Sequence, residues 1–458
     1  MKAKPVILSG GYGVRLWPIS RKNLAKQFVD LFQNDSSLFL DTIKRVSGSL
    51  FKDPLIISNI SQRFEILKLV KKFKFKTDKI ILETLQKNTA PACAFASYYS
   101  KDEDILCIMP SDHYIENNKK FVNTLENAID LASKNFLVTI GAKAKEPNSN
   151  FGYILPIKKN AFNYFEIDEF IEKPSKNKAE QLIKKNSLWN TGIIIVKNKV
   201  LINLFKRFSK NVYINSIAAC KSAKLDNEFH ILNKNHLKKV KEISIDYAIM
   251  EKKFTKLVVP YKGIWSDLGT YDALYKVKKS HGNIVSVKSK NNFTYSDDKL
   301  VVVSGINDQV IVNTKNAVLV TKKGSAHLLR DIMKLLIKNK YEEAFDDSVV
   351  SRPWGLFENI KHENGYKVKK LLILPREKIS LQKHLKRSEH WVVIKGTATI
   401  TKGKNKFLLK ANESTFIKKG EVHRIENNTN SDLVLIEVQT GSYLEEDDIY
   451  RFKDKYNR

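Results

Sequence analysis

A glycine-rich turn directly after the first apolar run constrains this chain more than any other stretch. The run 6–8 is followed by Ser9, and then by Gly10, Gly11 and Gly13. Glycine lets backbone N–H groups approach a phosphate closely, because no Cβ intervenes. The spacing matches neither a Walker loop nor the dinucleotide-binding turn. The stretch therefore predicts either a phosphate-binding loop or an ordinary turn between a strand and a helix.

Length and composition predict a folded protein of several domains. The 458 residues exceed one typical core, and ~2–4 domains are expected. No run approaches the ~18 apolar residues of a membrane helix, and the start of the chain does not resemble a secretory signal. Cys93, Cys107 and Cys220 lie far apart, which predicts reduced thiols rather than a disulfide or zinc framework. We therefore predict a cytoplasmic protein that does not bind membranes.

The net charge of +31 raises nucleic-acid binding as an alternative function. The lysines are spread along the whole chain and form no basic arm, so we predict solvated faces and no nucleic-acid partner. The competing hypothesis predicts tight retention of DNA or RNA with a steep salt dependence. A positive field would also speed the encounter with anionic sugar phosphates and nucleotides.

Residues 1–280 alternate between apolar runs and helical periodicity. The strand-like runs are 6–8, 55–57, 105–109, 137–140, 193–196 and 257–259. Helical spacing separates them, as in Phe64, Leu67 and Val70, or Leu125 and Ile129. This alternation predicts a mixed, mostly parallel sheet covered on both faces. Ligands of such α/β sheets bind beyond the carboxyl ends of the strands.

The pattern of predicted secondary structure changes twice after this domain. Residues 281–345 contain short strand runs with Asn/Asp turns, and then a helix. We expect core packing from one face of that helix, formed by Leu328, Leu329, Ile332, Leu335 and Leu336. From residue 346 many short strands predict a double-sheet jelly roll. The predicted domains are therefore 1–280, 281–345 and 346–458.

Two segments of the first domain place polar groups where a parallel sheet binds ligands. Asn88 and Thr89 precede Pro91, which is typical of the first helical position, so an outward-facing helix N-terminus is predicted. A plain helix cap is the alternative. Asp112 follows the buried run 105–109, where its carboxylate could hold Mg²⁺ or could cap a helix.

Three further segments carry groups suited to a sugar phosphate. Gly152 lets the backbone approach a hydroxyl, and Glu172 and Lys173 pair an acceptor with a cation. Asn190 can both donate and accept hydrogen bonds. Each signal is weak by itself, since Glu172 and Lys173 could form a surface ion pair.

Four side chains of the last domain predict a metal site. Gln382 and His384 project to the same face of a strand, because they lie two residues apart. Glu389 and His423 follow at spacings that resemble the two half motifs of the cupin superfamily. Together they form a nitrogen and oxygen set for Zn²⁺ or another divalent metal. Structural histidines are the alternative.

The stretch GGYGVRLWPISRKNLAKQF (residues 10–28) resembles the nucleotide-binding signature of sugar-nucleotide pyrophosphorylases. Its pieces RLWPISR and KQF resemble the mannose-1-phosphate guanylyltransferase branch. The last domain resembles the isomerase half of the bifunctional type II phosphomannose isomerase/mannose-1-phosphate guanylyltransferase family. The chain departs from the family at Ala25 and Lys87, and in the isomerase motif at Arg376, Leu385 and Lys386.

For the first domain the resemblance implies a Rossmann-like nucleotidyltransferase that joins mannose 1-phosphate to GTP and releases pyrophosphate. Asp112 and Asp267 would hold Mg²⁺, and Arg15 and Lys26 would stabilise the pyrophosphate. The implied nucleotide-binding residues are Leu8, Gly10, Gly11, Gly13, Arg15, Lys26, Lys87, Asn88, Thr89 and Pro91. The implied sugar-phosphate-binding residues are Gly152, Glu172, Lys173 and Asn190.

For the rest of the chain the resemblance implies a short β-helix linker and a cupin-type domain that interconverts fructose 6-phosphate and mannose 6-phosphate. The implied metal ligands are Gln382, His384, Glu389 and His423. Arg387 would hold the phosphate or polarise the intermediate. The catalytic base is open between Lys378, Glu389 and His390.

The departures in the isomerase motif leave an alternative, a guanylyltransferase whose cupin domain is not catalytic. If residues 384–386 form a strand, Leu385 points into packing and Lys386 shares the face of His384. We expect that Lys386 then contacts the substrate phosphate. The oligomeric state is open, and a homo-oligomer is one of the alternatives.

Overall fold

The computed structural model describes residues 2–11, 13–157 and 163–453. The chain divides into two compact units, Met1–Arg63 with Lys74–Ala344, and Phe64–Phe73 with Phe345–Arg458. Within the described ranges, every helix is too short or too polar to cross a membrane.

The first unit is built on a large mixed sheet with a small sheet beside it. The strands of both sheets are β1 (Lys4–Ser9), β2 (Leu55–Asn59), β3 (Lys79–Glu83), β4 (Ile105–Pro110), β5 (Tyr114–Ile115), β6 (Leu137–Lys143), β7 (Tyr153–Ile157), β8 (Phe165–Ile171), β9 (Leu188–Lys197), β10 (Lys224–Asp226), β11 (Phe229–Ile231), β12 (Lys256–Tyr261) and β13 (Trp265–Ser266). The large sheet has the order β10-β11-β3-β2-β1-β4-β9-β6-β12-β8-β7, and β5 pairs with β13.

The parallel part of this sheet positions the first candidate site. β1 lies between β2 and β4, and Val6 pairs with Leu55 on one side and Ile108 on the other. β3 continues the parallel set beyond β2. The carboxyl ends of β1, β3 and β4 therefore lie along one edge. β9 is antiparallel to β4 and β6, so the sheet is mixed, as predicted.

Helices alternate with these strands along the chain. In chain order they are α1 (Leu38–Arg45), α2 (Arg63–Lys72), α3 (Thr89–Tyr98), α4 (Asn118–Ser133), α5 (Lys176–Lys184), α6 (Asn198–Phe208), α7 (Lys210–Lys221), α8 (Lys234–Lys239) and α9 (Tyr271–Val277). A π-helix spans Asp246–Met250. α3 is apolar on all sides and packs in the core with Val6 and Ile108. The predicted helical periodicities lie in α2 and α4, and most of α2 belongs to the second unit.

A small coil of strands follows the sheet. Its strands are β14 (Ser280–His281), β15 (Ile284–Val287), β16 (Phe293–Ser296), β17 (Val301–Ser304), β18 (Gln309–Asn313) and β19 (Val318–Lys322). β15 pairs in parallel with β17, and β16 pairs in parallel with β14 and β18. Strands of successive turns therefore stack on one another, as the β-helix interpretation predicted.

Helix α10 (Leu328–Lys338) ends the first unit, and its buried stripe differs from the prediction. Leu329 and Met333 are buried, whereas Leu328 and Leu335 are exposed. The prediction that Leu328 and Leu335 pack in a core is wrong. Each residue turns the helix by about 100°, and Leu328 lies one residue before the buried stripe of Leu329 and Met333.

The second unit is a sandwich of two antiparallel sheets. Its strands are β20 (Val349–Arg352), β21 (Gly355–Glu363), β22 (Tyr366–Ile373), β23 (Leu381–Lys383), β24 (Arg387–Lys395), β25 (Thr397–Lys402), β26 (Asn405–Lys410), β27 (Ser414–Ile417), β28 (His423–Glu426), β29 (Leu433–Gly441) and β30 (Tyr450–Lys453). The sheet orders are β20-β21-β22-β29-β24-β27 and β26-β25-β28-β23-β30. This architecture confirms the predicted cupin-type jelly roll.

The inner face of the larger sheet changes character along its strands. At one end of β22, β24 and β29 the inward residues are apolar, and they pack with Trp354 in the core. At the other end the buried inward residues are polar, namely Lys367, Lys369, Arg387, Glu389, Glu437 and Gln439. Buried polar groups on three neighbouring strands indicate a site at that end of the sandwich.

Candidate functional sites

Lys26 joins two acidic segments of the first unit. Its buried ammonium lies 3.0 Å from Oδ2 of Asp112. It also donates to the backbone carbonyls of Asp267 and Leu268. Burial alone would raise the pKa of Asp112, but the charges of Lys26 and His113, together with hydrogen bonds from Lys26 and the backbone, lower this pKa below its ordinary value. The three segments that carry Lys26, Asp112 and Asp267 therefore meet at one ionised cluster.

The glycine-rich turn is fixed against this cluster. Gln27 Nε2 donates to the carbonyls of Ser9 and Gly11 at 3.1 and 3.0 Å. Gly13 has a φ of +62°, and a Cβ at this position would lie 2.8 Å from Cγ of Lys26. Glycine is therefore required at position 13 for two reasons, the left-handed backbone and the contact with Lys26. Ser111 N donates to Leu8 O at 3.0 Å and joins the ends of β1 and β4.

Arg15 and Asp267 lie together at the edge of a cavity of about 620 Å³. A Cβ on Gly269 would lie 3.1 Å from Nη2 of Arg15 and 2.5 Å from Oδ2 of Asp267. Trp189 and Trp265 also line this cavity. Its volume falls within the ~300–1,000 Å³ of small-molecule sites. The ionised cluster therefore borders a space that could hold a ligand.

The helix N-terminus predicted at residues 88–91 is present, but its register differs. α3 begins at Thr89, and Asn88 caps it by accepting from Thr89 N at 2.8 Å. Pro91 is thus the third helical residue, and the prediction that it is the first is wrong. The Thr89 hydroxyl accepts from Ile245 N at 2.9 Å. Lys87 O accepts from Ile243 N at 3.3 Å, so both residues anchor the segment 243–245.

Glu83 is a candidate site residue that the sequence analysis missed. It ends β3, and its side chain is buried beside the glycine-rich turn, with Oε2 3.4 Å from the position of a Cβ on Gly10. Its Oε1 has no hydrogen-bond partner among the residues described. Burial raises the pKa of Glu83 to about 8. The available signal was the apolar run 80–82 followed by an acid, the same pattern that identified Asp112.

The predicted sugar-side residues lie together. A Cβ on Gly152 would lie 2.6 Å from Oε2 of Glu172 and 3.3 Å from Cβ of Asn190. Asn190 N donates to Gly152 O at 2.8 Å. The Lys173 ammonium is 3.4 Å from Oε1 of Glu172. Gly152, Glu172, Lys173 and Asn190 therefore form one group.

Asp246 joins this group and was also missed. Its Oδ1 accepts from Nδ2 of Asn190 at 2.9 Å. Burial, and then the neighbouring Glu172 charge, raises the pKa of Asp246 to about 7. Burial also raises the pKa of Glu172. Asp246 thus contacts the Asn190 amide and Glu172 lies beside Gly152. Both acids have raised pKa values, and carboxyl and amide groups can hydrogen-bond to hydroxyls.

The second unit brings His384, Glu389 and His423 together. Their ligand atoms lie within 4.8 Å of one another. Nε2 of His384 is 3.1 Å from Oε1 of Glu389, and Nε2 of His423 is 3.7 Å from Oε2. Gln382 pairs with His423 in the sheet, and its Nε2 lies 3.5 Å from Nε2 of His384. The four predicted residues thus surround one point.

Both histidines are oriented by backbone carbonyls. Nδ1 of His384 lies 3.0 Å from Asp448 O, and Nδ1 of His423 lies 2.8 Å from Glu421 O. A carbonyl can only accept, so each Nδ1 donates its proton to a carbonyl, and each Nε2 is turned toward the Glu389 carboxylate. Nε2 of His423 is buried without a hydrogen-bond partner among the described residues. This donor set fits a divalent metal such as Zn²⁺.

The Glu389 carboxylate is the centre of a buried network. Burial would raise its pKa, but His384 and the neighbouring cations hold this pKa far below its ordinary range. Arg387 Nε and Gln439 Nε2 each lie 3.2 Å from Oε1. Trp391 Nε1 lies 3.2 Å from Oε2. Arg387 thus supports the acidic side chain of the site.

The open candidates for the isomerase base are not all near this site. The His390 ring packs against Phe416 on the outer face of the sheet, and Lys378 lies 3.6 Å from Glu426. A further acid, Glu437, is buried on the inner face and accepts from Trp391 at 3.0 Å and from Gln439 at 2.8 Å. Burial, and then the Glu389 charge, raises the pKa of Glu437 to about 7.

The expected strand at residues 384–386 is absent, because these residues form a bend between β23 and β24. Leu385 is 50% exposed, so the prediction that it packs inward is wrong. The Lys386 ammonium lies 4.2 Å from the Tyr443 ring centroid. Arg376 has a φ of +63°, which explains why a glycine suits this position.

Comparisons with known proteins agree with this geometry. The family described as Nucleotidyl transferase matches residues 4–283. The MannoseP isomerase/GMP-like beta-helix domain matches residues 282–336, and the family described as Mannose-6-phosphate isomerase C-terminal matches residues 338–454.

Relatives match along the whole chain. Mannose-1-phosphate guanylyltransferase 2 of Escherichia coli O157:H7 is 35% identical, over 98% of this chain and 98% of its own length. Mannose-1-phosphate guanylyltransferase of Salmonella muenchen is 36% identical, over 99% of this chain and 98% of its own length.

Solved structures resemble the chain as well. The structure of mannose-1-phosphate geranyltransferase from Thermus thermophilus has 25% identity and a TM-score of 0.65, and covers 74% of this chain and 100% of its own. The structure of mannose-6-phosphate isomerase from Helicobacter pylori has 30% identity and a TM-score of 0.52, and covers 58% and 100%. The chain therefore belongs to the mannose-1-phosphate guanylyltransferase family, with a nucleotidyl transferase domain and a mannose-6-phosphate isomerase C-terminal domain.

Proposed function

We propose that the first unit transfers GMP from GTP to mannose 1-phosphate, giving GDP-mannose and pyrophosphate. The observation that carries this proposal is the cluster in which Lys26 contacts both Asp112 and the Asp267 backbone beside the glycine-rich turn. Carboxylate oxygens are the ligands that Mg²⁺ prefers, and Mg²⁺ takes its remaining ligands from phosphates and water. Asp112 and Asp267 would hold this ion, which would neutralise charge on the reacting phosphates.

No protein nucleophile is required for this reaction. A phosphate oxygen of mannose 1-phosphate attacks the α-phosphorus of GTP, a new P–O bond forms, and the bond to pyrophosphate breaks. Catalysis then rests on positioning and on stabilising charge. Lys26 and Arg15 stabilise the leaving pyrophosphate, and Glu172 and Asn190 orient the sugar hydroxyls.

For base selectivity we assign Glu83. Guanine presents adjacent N1–H and N2–H donors on its Watson–Crick edge, and an ionised carboxylate accepts both. Adenine presents an acceptor at N1, which would face a carboxylate oxygen. The unpartnered Oε1 of Glu83 beside Gly10 supports this role among the described residues, because a buried acceptor without a donor is costly until a ligand supplies one.

In the second unit we propose the interconversion of mannose 6-phosphate and fructose 6-phosphate. Gln382, His384, Glu389 and His423 would hold a divalent metal, which would polarise the carbonyl and hydroxyl oxygens of the open-chain sugar. The reaction moves one proton between C1 and C2. We assign this proton transfer to Glu437, because it is buried beside the ligand set and its pKa of about 7 suits both accepting and donating.

Two assays of the same purified protein test the two activities. Purified full-length protein is supplied with mannose 1-phosphate and each nucleoside triphosphate in turn, and pyrophosphate release is measured with and without Mg²⁺. Release with GTP and Mg²⁺ is expected, and none after chelation. The same protein is stripped of metal, reloaded with Zn²⁺, Co²⁺ or Mn²⁺, and supplied with mannose 6-phosphate. Absence of fructose 6-phosphate with every metal would refute the isomerase proposal.

For the location of the protein in the cell we propose the cytoplasm, which the free, buried thiols of Cys93, Cys107 and Cys220 support.

A further inference from the structure

A cluster of cations lies beside the metal-ligand set of the second unit. The Lys369 ammonium and the Arg352 guanidinium both lie over the Phe357 ring, 4.8 and 5.0 Å from its centroid. Arg387 lines the same cavity as these two residues, together with the metal-site residues Gln382 and Glu389. Lys369 is 4% exposed and Arg387 is 2% exposed. Burying cations in this way is costly unless an anion neutralises them.

The anion is supplied by the chain itself. Glu446 Oε1 lies 2.5 Å from Nζ of Lys369. Glu446 belongs to the 3-10 helix Glu446–Asp448, and its side chain keeps 44% exposure. Burial would raise the pKa of Glu446, but the charges of Lys369, Arg352 and Arg387 lower this pKa to about 2. A partly exposed carboxylate thus pairs with the buried ammonium of Lys369, while Arg387 is paired with Glu389.

We propose that Arg352, Lys369 and Arg387 form the phosphate subsite for a hexose 6-phosphate, and that the Glu446 carboxylate occupies this subsite until the substrate phosphate displaces it. This inference rests on the isomerase function proposed above. A phosphate monoester carries a charge of about −1.5 to −2 near pH 7, against −1 for a carboxylate, and offers three oxygens to guanidinium and ammonium donors.

The position of the cluster suits the two ends of the substrate. Arg387 donates to Glu389, which belongs to the metal-ligand set. Lys369 pairs with Glu437 across β22 and β29. A sugar whose C1 and C2 lie at the metal ligands and at Glu437 would therefore extend its phosphate toward Lys369. The cavity has a volume of about 50 Å³, whereas ligand sites measure ~300–1,000 Å³, so the Glu446 side chain must leave the cavity when substrate enters.

The test compares Glu446→Gln with Asp447→Asn in the full-length protein. Asp447 is the matched control. It is the neighbour of Glu446, and its substitution removes the same negative charge, but its carboxylate accepts a hydrogen bond from Tyr443 and not from the cation cluster. Binding of mannose 6-phosphate, inorganic phosphate and uncharged mannose to metal-free protein is measured by calorimetry. Because both substitutions lie in the second unit, differences between the variants report on that unit.

Glu446→Gln is expected to tighten binding of mannose 6-phosphate and inorganic phosphate about tenfold, equivalent to ~1.4 kcal/mol, and to leave mannose unchanged. Asp447→Asn should change neither. Lys369→Met should weaken binding of both phosphates. The double variant Lys369→Met/Glu446→Gln, which removes both members of the ion pair, should weaken it as well. Equal phosphate affinity in Glu446→Gln and Asp447→Asn would overturn the inference.

The outcome for the subsite is separate from the outcome for isomerase activity. If no metal restores isomerisation but Glu446→Gln still tightens phosphate binding, the isomerase proposal is wrong and the anion subsite remains. If isomerisation occurs while Lys369→Met leaves the KM for mannose 6-phosphate and the affinity for phosphate unchanged, the ion pair of Lys369 and Glu446 is structural and the subsite is refuted.

Discussion

Replacing Glu83 by glutamine removes an ionisable group from the nucleotide side of the first unit and keeps the size of the side chain. Burial raises the pKa of Glu83 to about 8, so roughly nine molecules in ten carry the neutral carboxyl at pH 7. The guanine N–H donors need the ionised form, because a neutral carboxyl presents an O–H to one of them. Ionising the group at pH 7 therefore costs about 1.4 kcal/mol, the equivalent of one pKa unit.

The sign of the pH dependence follows from this cost. Affinity for GDP-mannose should rise by up to about tenfold as the pH increases from about 7 toward 9, where Glu83 becomes ionised and the guanine N1–H is still largely present. Below the pKa the affinity should fall with each pH unit. Glu83→Gln should remove this dependence and bind about 10–100-fold more weakly at the higher pH, since hydrogen bonds to charged groups contribute about 1.5–3 kcal/mol.

Calorimetry with GDP-mannose is the suitable assay, because the diphosphate of this ligand does not titrate in the range studied. Glu126→Gln is a matched control on the exposed face of α4, and its binding should equal that of the wild type. Two results would refute the reasoning. One is wild-type affinity that is independent of pH, and the other is a Glu83→Gln variant that still discriminates GTP from ATP.

Three further substitutions separate the two activities and the folding of the turn. Asp112→Asn should lower GDP-mannose formation at least ~100-fold, because a metal clamp contributes several kcal/mol, and isomerisation should persist; equal loss of both activities would indicate misfolding. Glu437→Gln should lower isomerisation about 10²–10⁴-fold with unchanged metal content by elemental analysis, and near-normal turnover would exclude it as the base. Gly13→Ala should lower the free energy of unfolding by about 1–2 kcal/mol, because alanine is strained in a left-handed backbone. It should also slow nucleotidyl transfer, because the added methyl displaces Lys26. The control Gly48→Ala, whose added methyl contacts nothing within 4 Å, should melt at the wild-type temperature.

The sequence predicted those site residues whose position follows from local pattern. Asp112 lies two residues after the end of the apolar strand β4, so its place at the ligand edge of a parallel sheet could be inferred from one segment. Glu83 occupies the corresponding place on β3, but the apolar run before it is shorter. The contact of Lys26 with the Asp267 backbone joins segments far apart in the chain, and no local pattern encodes it.

The second unit shows the same limit. His384 and Glu389 carry recognisable metal chemistry at recognisable spacing, and the structure brings them together. Lys369 and Glu437 each lie in a strand where apolar and polar residues alternate, so the sequence alone predicts that both are surface residues. Only the pairing of β22 with β29 places them opposite each other on the inner face. The sequence pattern therefore identified the candidate metal-site residues and Arg387, but not Lys369 or Glu437.

Backbone contacts explain how the isomerase motif can differ at Leu385 and Lys386. Asp448 is buried, and its carboxylate accepts from the backbone N–H groups of Leu385 and Lys386 at 3.2 and 3.0 Å, while its carbonyl orients His384. Any residue other than proline supplies such an N–H group. The shape of the bend therefore depends on Asp448 and is insensitive to the side chains at positions 385 and 386.

This dependence gives a last prediction. Asp448→Ala keeps the backbone carbonyl that faces His384 but removes the carboxylate that holds the bend after it. It should weaken Zn²⁺ affinity about 10–100-fold, the range typical of losing outer contacts of a metal site, as measured by competition with a chromophoric chelator. Leu385→His and Lys386→His should each bind Zn²⁺ as the wild type does, because they keep the backbone N–H groups that Asp448 binds. Circular dichroism of each variant controls for folding. Wild-type Zn²⁺ affinity in a folded Asp448→Ala protein would show that the bend at residues 385–386 keeps its shape without the Asp448 carboxylate.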